Sequence, residues 1–200
     1  MEYYGARGNG ATKRKSLKEG TYGSGGEILQ HTYYDSYALL VATTVTRLFT
    51  TGLAGGRRLD QTNMQIGGQL PANEKHTVHA LKAFYCTYTE KTNAGLLAWF
   101  KYLTHTVVEV IINGKAPSLV VGLDELFGMT TKLMHKPTVA GDNIIIPEPK
   151  YSGIFPVRPS IVLASNTVIE VKVSSFIASD TLLDTDILKI GLAGILERRT

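Results

Sequence analysis

The chain has little of what catalytic and metal-binding proteins are built from: one cysteine, one tryptophan and five histidines in 200 residues. With Cys86 alone, neither an intrachain disulfide nor a cysteine-rich zinc site can form. Flanked by Ala83, Phe84, Tyr85, Thr87 and Tyr88, it reads as a small core filler on a strand. Of the histidines (His31, His76, His79, His105 and His135), His76 and His79 are three apart, which places them on opposite faces of a strand. A cupin-like metal site needs histidines two apart with a nearby carboxylate, and that spacing does not occur. Dinucleotide fingerprints, Walker loops and nucleophile elbows are missing, and Gly23-Ser24-Gly25-Gly26 follows no strand that could aim it at a phosphate. Apolar runs such as Leu119–Val121 and Ile144–Ile146 are far shorter than a membrane span. The N-terminus lacks the apolar stretch of a secretory signal. A soluble protein that is not an enzyme, with no cofactor and no metal, is the expectation.

The carboxylates give no stronger lead. Adjacent Asp124 and Glu125, and the group Asp180, Asp184 and Asp186, have the chemistry of an acid/base pair or a calcium loop. Loop solvation and a strand start account for them better.

What the chain does have is a contrast between its ends. Residues 1–26 hold Arg7, Lys13, Arg14, Lys15 and Lys18 against Glu2 and Glu19, so they supply three of the four net positive charges. Seven of these 26 residues are glycine, and Leu17 is the only aliphatic larger than alanine between Tyr4 and Ile28. Such a stretch buries too little apolar surface to offset its ordering entropy, so it is expected to be a flexible arm. The remaining residues, 27–200, are nearly neutral and read as one domain with a real core. Any polyanion affinity should therefore sit in the arm, on Arg7, Lys13, Arg14, Lys15 and Lys18. Tyr3, Tyr4, Tyr22, Tyr33, Tyr34 and Tyr37 cluster near it. Aromatics among cations can stack on single-stranded nucleic acid, or they can pack on a neighbouring chain or the body's own edge.

The body alternates with period two. Leu39–Phe49 is apolar or β-branched on both faces and predicts one long strand; residues 76–89 predict another. Thr92 or Asn93 caps a short helix carrying Leu96, Leu97, Trp99, Phe100 and Leu103. Thr106–Ile112 is a strand that ends at Asn113-Gly114, a hairpin signal because both residues tolerate positive φ. Leu119–Phe127 fits a strand running into a helical turn, and periodicity does not separate the two. Prolines 137, 147, 149, 156 and 159 cut the next segment into short strands, 143–146, 151–155 and 160–164. Ser165-Asn166 marks a turn. Ile169, Val171, Val173 and Ile177 then point inward, and Leu188, Ile190 and Leu192 share a face of a last strand, Ile187–Leu196.

About eight short strands, one or two helical insertions and no β-α-β run argue for an all-β sandwich or barrel. Eight such strands in about 160 residues fit a jelly roll best.

Three patches carry a resemblance. Asp60-Gln61-Thr62-Asn63-Met64-Gln65-Ile66-Gly67-Gly68-Gln69-Leu70-Pro71, the Pro156–Ile177 region, and the ending Ile187–Arg198 are similar to segments of jelly-roll coat proteins of non-tailed icosahedral bacterial viruses. The likeness in layout covers residues 38–198. It implies a single eight-stranded jelly roll that self-assembles into an icosahedral capsid shell, with its arm contacting neighbouring subunits or packaged genome. The partners so implied are copies of itself, other capsid proteins and nucleic acid. The location is the virion of a bacteriophage, assembled in host cytoplasm. Shell proteins with two fused jelly rolls are longer, and this chain has room for one. The alternative is a ligand-binding β-sandwich, for carbohydrate or a receptor, presenting Trp99 or paired tyrosines as a stacking platform. A third reading is an enzyme on a cupin-like scaffold, which the histidine spacing opposes.

Overall fold

A computed structural model describes residues 26–39, 44–87, 92–128, 133–137, 143–147, 152–177, 183 and 186–199. Among the described residues, ten strands and two short α-helices follow one another: β1 (Gly26–Ala38), β2 (Val45–Leu48), β3 (Glu74–Cys86), α1 (Asn93–Thr104), β4 (Thr106–Ile112), β5 (Leu119–Gly122), α2 (Leu123–Phe127), β6 (Leu133–Pro137), β7 (Asn143–Pro147), β8 (Ser152–Leu163), β9 (Ile169–Ser175) and β10 (Ile187–Arg199). Eight of them form two four-stranded antiparallel sheets, ordered β1-β10-β3-β8 and β2-β9-β4-β5. β6 and β7 form a separate antiparallel pair. The protein is thus an all-β sandwich with an additional strand pair, of which the sequence reading had β7, as 143–146, but not β6.

Alternation builds the core. Along β9, Ile169, Val171, Val173 and Ser175 are buried and the residues between are half-buried. Val108 and Val110 of β4 and Leu188, Ile190 and Leu192 of β10 bury on the facing surfaces. α1 starts at Thr92, whose hydroxyl accepts the Gly95 N–H at 3.2 Å. Leu96, Trp99 and Leu103 form its buried stripe, while Leu97 and Phe100 are only half-buried. Trp99 is 1% exposed, stacked on Tyr85 with centroids 3.8 Å apart and edge-on to Phe127.

Four strands differ from the sequence reading. Residues 27–38 carried no strand prediction, yet β1 is one of the longest strands, because its inward positions include polar Tyr33 and Asp35. The long strand over Leu39–Phe49 is reduced, among the described residues, to Val45–Leu48; it ends where Phe49 adopts φ 65°. The pieces 151–155 and 160–164 are one strand, β8, whose prolines are tolerated because β8 is a sheet edge. Along β3 the inward parity switches, His76 and Val78 before Leu81, Ala83 and Tyr85, because His79 is bulged out of register with both neighbours. Gly194 makes that bulge possible: a Cβ there would lie 1.9 Å from the Thr77 carbonyl oxygen.

The predicted turns lie where expected. Asn113 and Gly114 take φ 53° and 65°, and the Lys115 N–H closes on the Ile112 carbonyl at 3.1 Å. Leu119–Phe127 resolves into β5 followed by α2. Asn166 takes φ 61° between β8 and β9.

Candidate functional surfaces

The five arm cations, Arg7, Lys13, Arg14, Lys15 and Lys18, lie outside the described residues, as do Tyr3, Tyr4, Tyr22, Asp180 and Asp184. Gly26, the first described residue, pairs with Arg199 across β1 and β10.

A cleft of about 360 Å³ opens at this corner, lined among others by Glu27, Glu74, Lys75, Ser165, Glu197 and Arg198. Its centre is a carboxylate held on both oxygens. Arg198 donates from Nε and Nη2 to Glu74 Oε1 at 2.9 and 2.8 Å, and the Tyr33 hydroxyl donates to Oε2. Arg198 Nη1 also lies 3.7 Å from Glu27, and Lys75 pairs with Glu197 at 2.9 Å. Burial, then the bond to Glu74, pushes the Tyr33 phenol far above its ordinary range. His31 and His76 pack against this tyrosine at ring centroid distances of 4.5 and 5.1 Å. Both imidazoles are pulled below their ordinary value by burial; the Leu192 carbonyl, 3.1 Å from His76 Nε2, works against that shift. The Nδ1 atom of His76 is buried without a partner among the described residues. This group braces the ends of β1, β3 and β10 against one another.

A second brace closes the loop after β2. Asp35 Oδ2 accepts the Phe49 N–H at 2.6 Å, and Oδ1 accepts the Ser36 N–H at 2.9 Å and the Arg57 guanidinium at 2.5 Å. Burial raises the Asp35 carboxyl above its usual range, with the Phe49 N–H and Arg57 pulling the other way.

The other candidates from the sequence divide plainly. His76 is buried and His79 exposed, on opposite faces as the spacing predicts; His79 Nδ1 lies 2.8 Å from Ser160 Oγ. Among the described residues, no cluster of three or more His, Cys, Asp or Glu is placed to hold a metal ion. Tyr33, Tyr34 and Tyr37 pack on the body's own residues: Tyr34 reaches the Leu59 carbonyl and lies under Lys189, and Tyr37 meets the Tyr102 hydroxyl at 3.0 Å. Asp124 and Glu125 occupy the first turn of α2. Asp186 is buried and accepts the Tyr85 hydroxyl, a role that loop solvation does not describe. Cys86, at the end of β3, is half-buried, not in the core. Among the described residues no helix is long and apolar enough to cross a membrane.

The outward faces carry exposed apolar side chains. Phe84, Ile154 and Val162 stand on the β1-β10-β3-β8 sheet, Ile154 being 68% exposed; Val45 and Val120 stand on the other sheet. Beside Val45 and Val120, Arg47 pairs with Glu170 and Lys172 with Glu109, at 2.5 and 2.8 Å. Period-two alternation implied that apolar residues would remain outside; the braces at Glu74 and Asp35 left no sequence signal, since, the adjacent Ser36 aside, the bonded partners are 14 to 124 residues apart. No protein-family model matches the sequence, and no curated protein matches it.

Proposed function

We propose that this protein is a capsid protein, a single jelly roll that self-assembles into an icosahedral viral shell. The observation that carries this reading is the nesting of the strands. Numbered one to eight in chain order, with the β6–β7 pair left aside, the sheet strands bond first with last, second with seventh, third with sixth and fourth with fifth. A long hairpin rolled up on itself yields that pairing, with alternate pairs falling in opposite sheets, and it is the pattern of jelly rolls. Jelly rolls also serve as lectins and cupins, so the choice among them rests on three further supports. Apolar side chains stand on both outward sheet faces, where a partner would bury them. The basic residues Arg7, Lys13, Arg14, Lys15 and Lys18 precede the sandwich and can neutralise packaged phosphates or strap neighbouring subunits. The resemblance in three patches to coat proteins of non-tailed bacterial viruses points the same way. The burial of Trp99 weighs against a ligand-binding module that would use it as a platform.

Electron microscopy with light scattering on the purified chain tests this, across low and high salt. Uniform closed shells are the expected product. A monomer under every condition would overturn the reading.

A further inference from the structure

The edge of β1 is closed along one half and bare along the other. At residues 32, 34 and 36 the main chain faces away from β10, and side chains from the loop before β3 meet it. Asn63 accepts the Tyr34 N–H at 2.8 Å and donates to the Thr32 carbonyl at 2.8 Å; the Thr62 hydroxyl donates to the Tyr34 carbonyl at 2.9 Å; Arg57 donates to the Ser36 carbonyl. β1 pairs with β10 without a register break from Gly26 to Ala38. Period-two geometry therefore turns the N–H and carbonyl groups of Gly26, Ile28 and Gln30 to the same edge. Among the described residues nothing pairs with them. The two large aliphatics of β1 are both here: Ile28 is 47% exposed and Leu29 36%. An unprotected edge with exposed aliphatic residues is a template for another strand.

We propose that residues 26–30 of β1 pair antiparallel with the same residues of a second copy, across a two-fold axis at Ile28. This rests on the reading above only in that both require copies to associate. Parity allows only registers that set edge-facing residues opposite edge-facing residues, and the one that uses all of 26–30 puts Ile28 opposite Ile28 and Gly26 opposite Gln30. A two-fold interface of this kind is self-complementary and closes at two subunits. It sets the exposed aliphatics of each copy beside those of the other. The chain's own preceding segment is a poor occupant by comparison, because Gly20, Gly23 and Gly25 punctuate it and it offers no large aliphatic between Leu17 and Ile28. A ladder this short buries less than the roughly 1,200 Å² of a stable specific interface. It therefore acts as a weak, reversible contact that other surfaces reinforce.

Cysteine cross-linking tests the register in the full chain with Cys86→Ala as background. Paired Cα atoms in a hydrogen-bonded position lie about 5.5 Å apart, within disulfide reach. Under mild oxidation Ile28→Cys is expected to give a band at twice the monomer mass, while Gln30→Cys stays monomeric. Amide exchange on the unmodified chain supplies the second readout: Ile28 and Gln30 should slow as concentration rises. Equal cross-linking at both positions, or at neither, overturns the pairing. So does protection independent of concentration, which would put the chain's own upstream residues on the edge. A cross-link at Ile28 without particles would keep this pairing and remove the shell; particles without the cross-link would do the reverse.

Discussion

Replacing Asp35 with alanine probes the brace that holds the loop after β2. Its carboxylate satisfies two buried backbone donors, Phe49 and Ser36, and faces the Arg57 guanidinium. Each buried donor left without an acceptor costs about 1–3 kcal/mol. Arg57 keeps the Ser36 carbonyl and some solvent, so losing its counter-ion adds about 1 kcal/mol. Phe49 sits at φ 65°, a conformation that costs a non-glycine residue about 1–2 kcal/mol and persists because Asp35 holds its N–H. Asp35→Ala should therefore lower unfolding stability by about 3–7 kcal/mol, a large fraction of the roughly 5–15 kcal/mol typical of a domain. Asp35→Asn keeps an acceptor oxygen and suits a site whose burial favours the neutral form, so it should cost about 1–2 kcal/mol. Because the two residues share one network, adding Arg57→Ala to Asp35→Ala should change little further. Urea unfolding with unchanged slope reads all three. A loss under about 1 kcal/mol for Asp35→Ala, or full additivity with Arg57→Ala, would refute the reasoning.

Half-buried His31 and buried His76 predict an acid-sensitive corner. His31 and His76 are depressed in the folded state, so below about pH 6.5 the unfolded chain binds more protons than the folded one. Their contribution is intact above that pH and is lost as pH falls toward the depressed values; the urea midpoint should drop over this window, and less so in His76→Asn. An equal drop in the variant would contradict the assignment. Gly194→Ala should destabilise by about 3 kcal/mol or more, because its Cβ would meet the Thr77 carbonyl at 1.9 Å; Gly114→Ala, at φ 65° in open space, should cost only about 1 kcal/mol. Thermal melts rank the pair, and equal losses would count against the bulge argument. Neutralising Arg7, Lys13, Arg14, Lys15 and Lys18 to glutamine should reduce retained nucleic acid and flatten its salt dependence, measured by absorbance ratio and a binding titration. Unchanged retention would assign the arm to protein contacts.

Strands whose inward positions are aliphatic were legible in the sequence: β4, β9 and β10 lie within a few residues of their predicted bounds. Turns were legible where backbone chemistry demands particular residues, as at Asn113-Gly114 and Asn166. β1 was not, because Asp35 and Tyr33 turn inward to partners 14 to 41 residues away, and a periodicity of aliphatics cannot register a buried carboxylate. The bulge at His79 was hidden for another reason: it flips the inward parity within one strand, so Val78 and Leu81 read as opposite faces although both are buried. The opposite faces of His76 and His79 needed only strand period. The two braces needed the fold, since each joins residues from three separate segments.

Whether copies of the chain assemble is decided by imaging particles. Negative-stain microscopy with light scattering on the purified full chain should show closed shells of uniform size, loosening as salt rises. A homogeneous monomer at every salt and protein concentration would contradict the account.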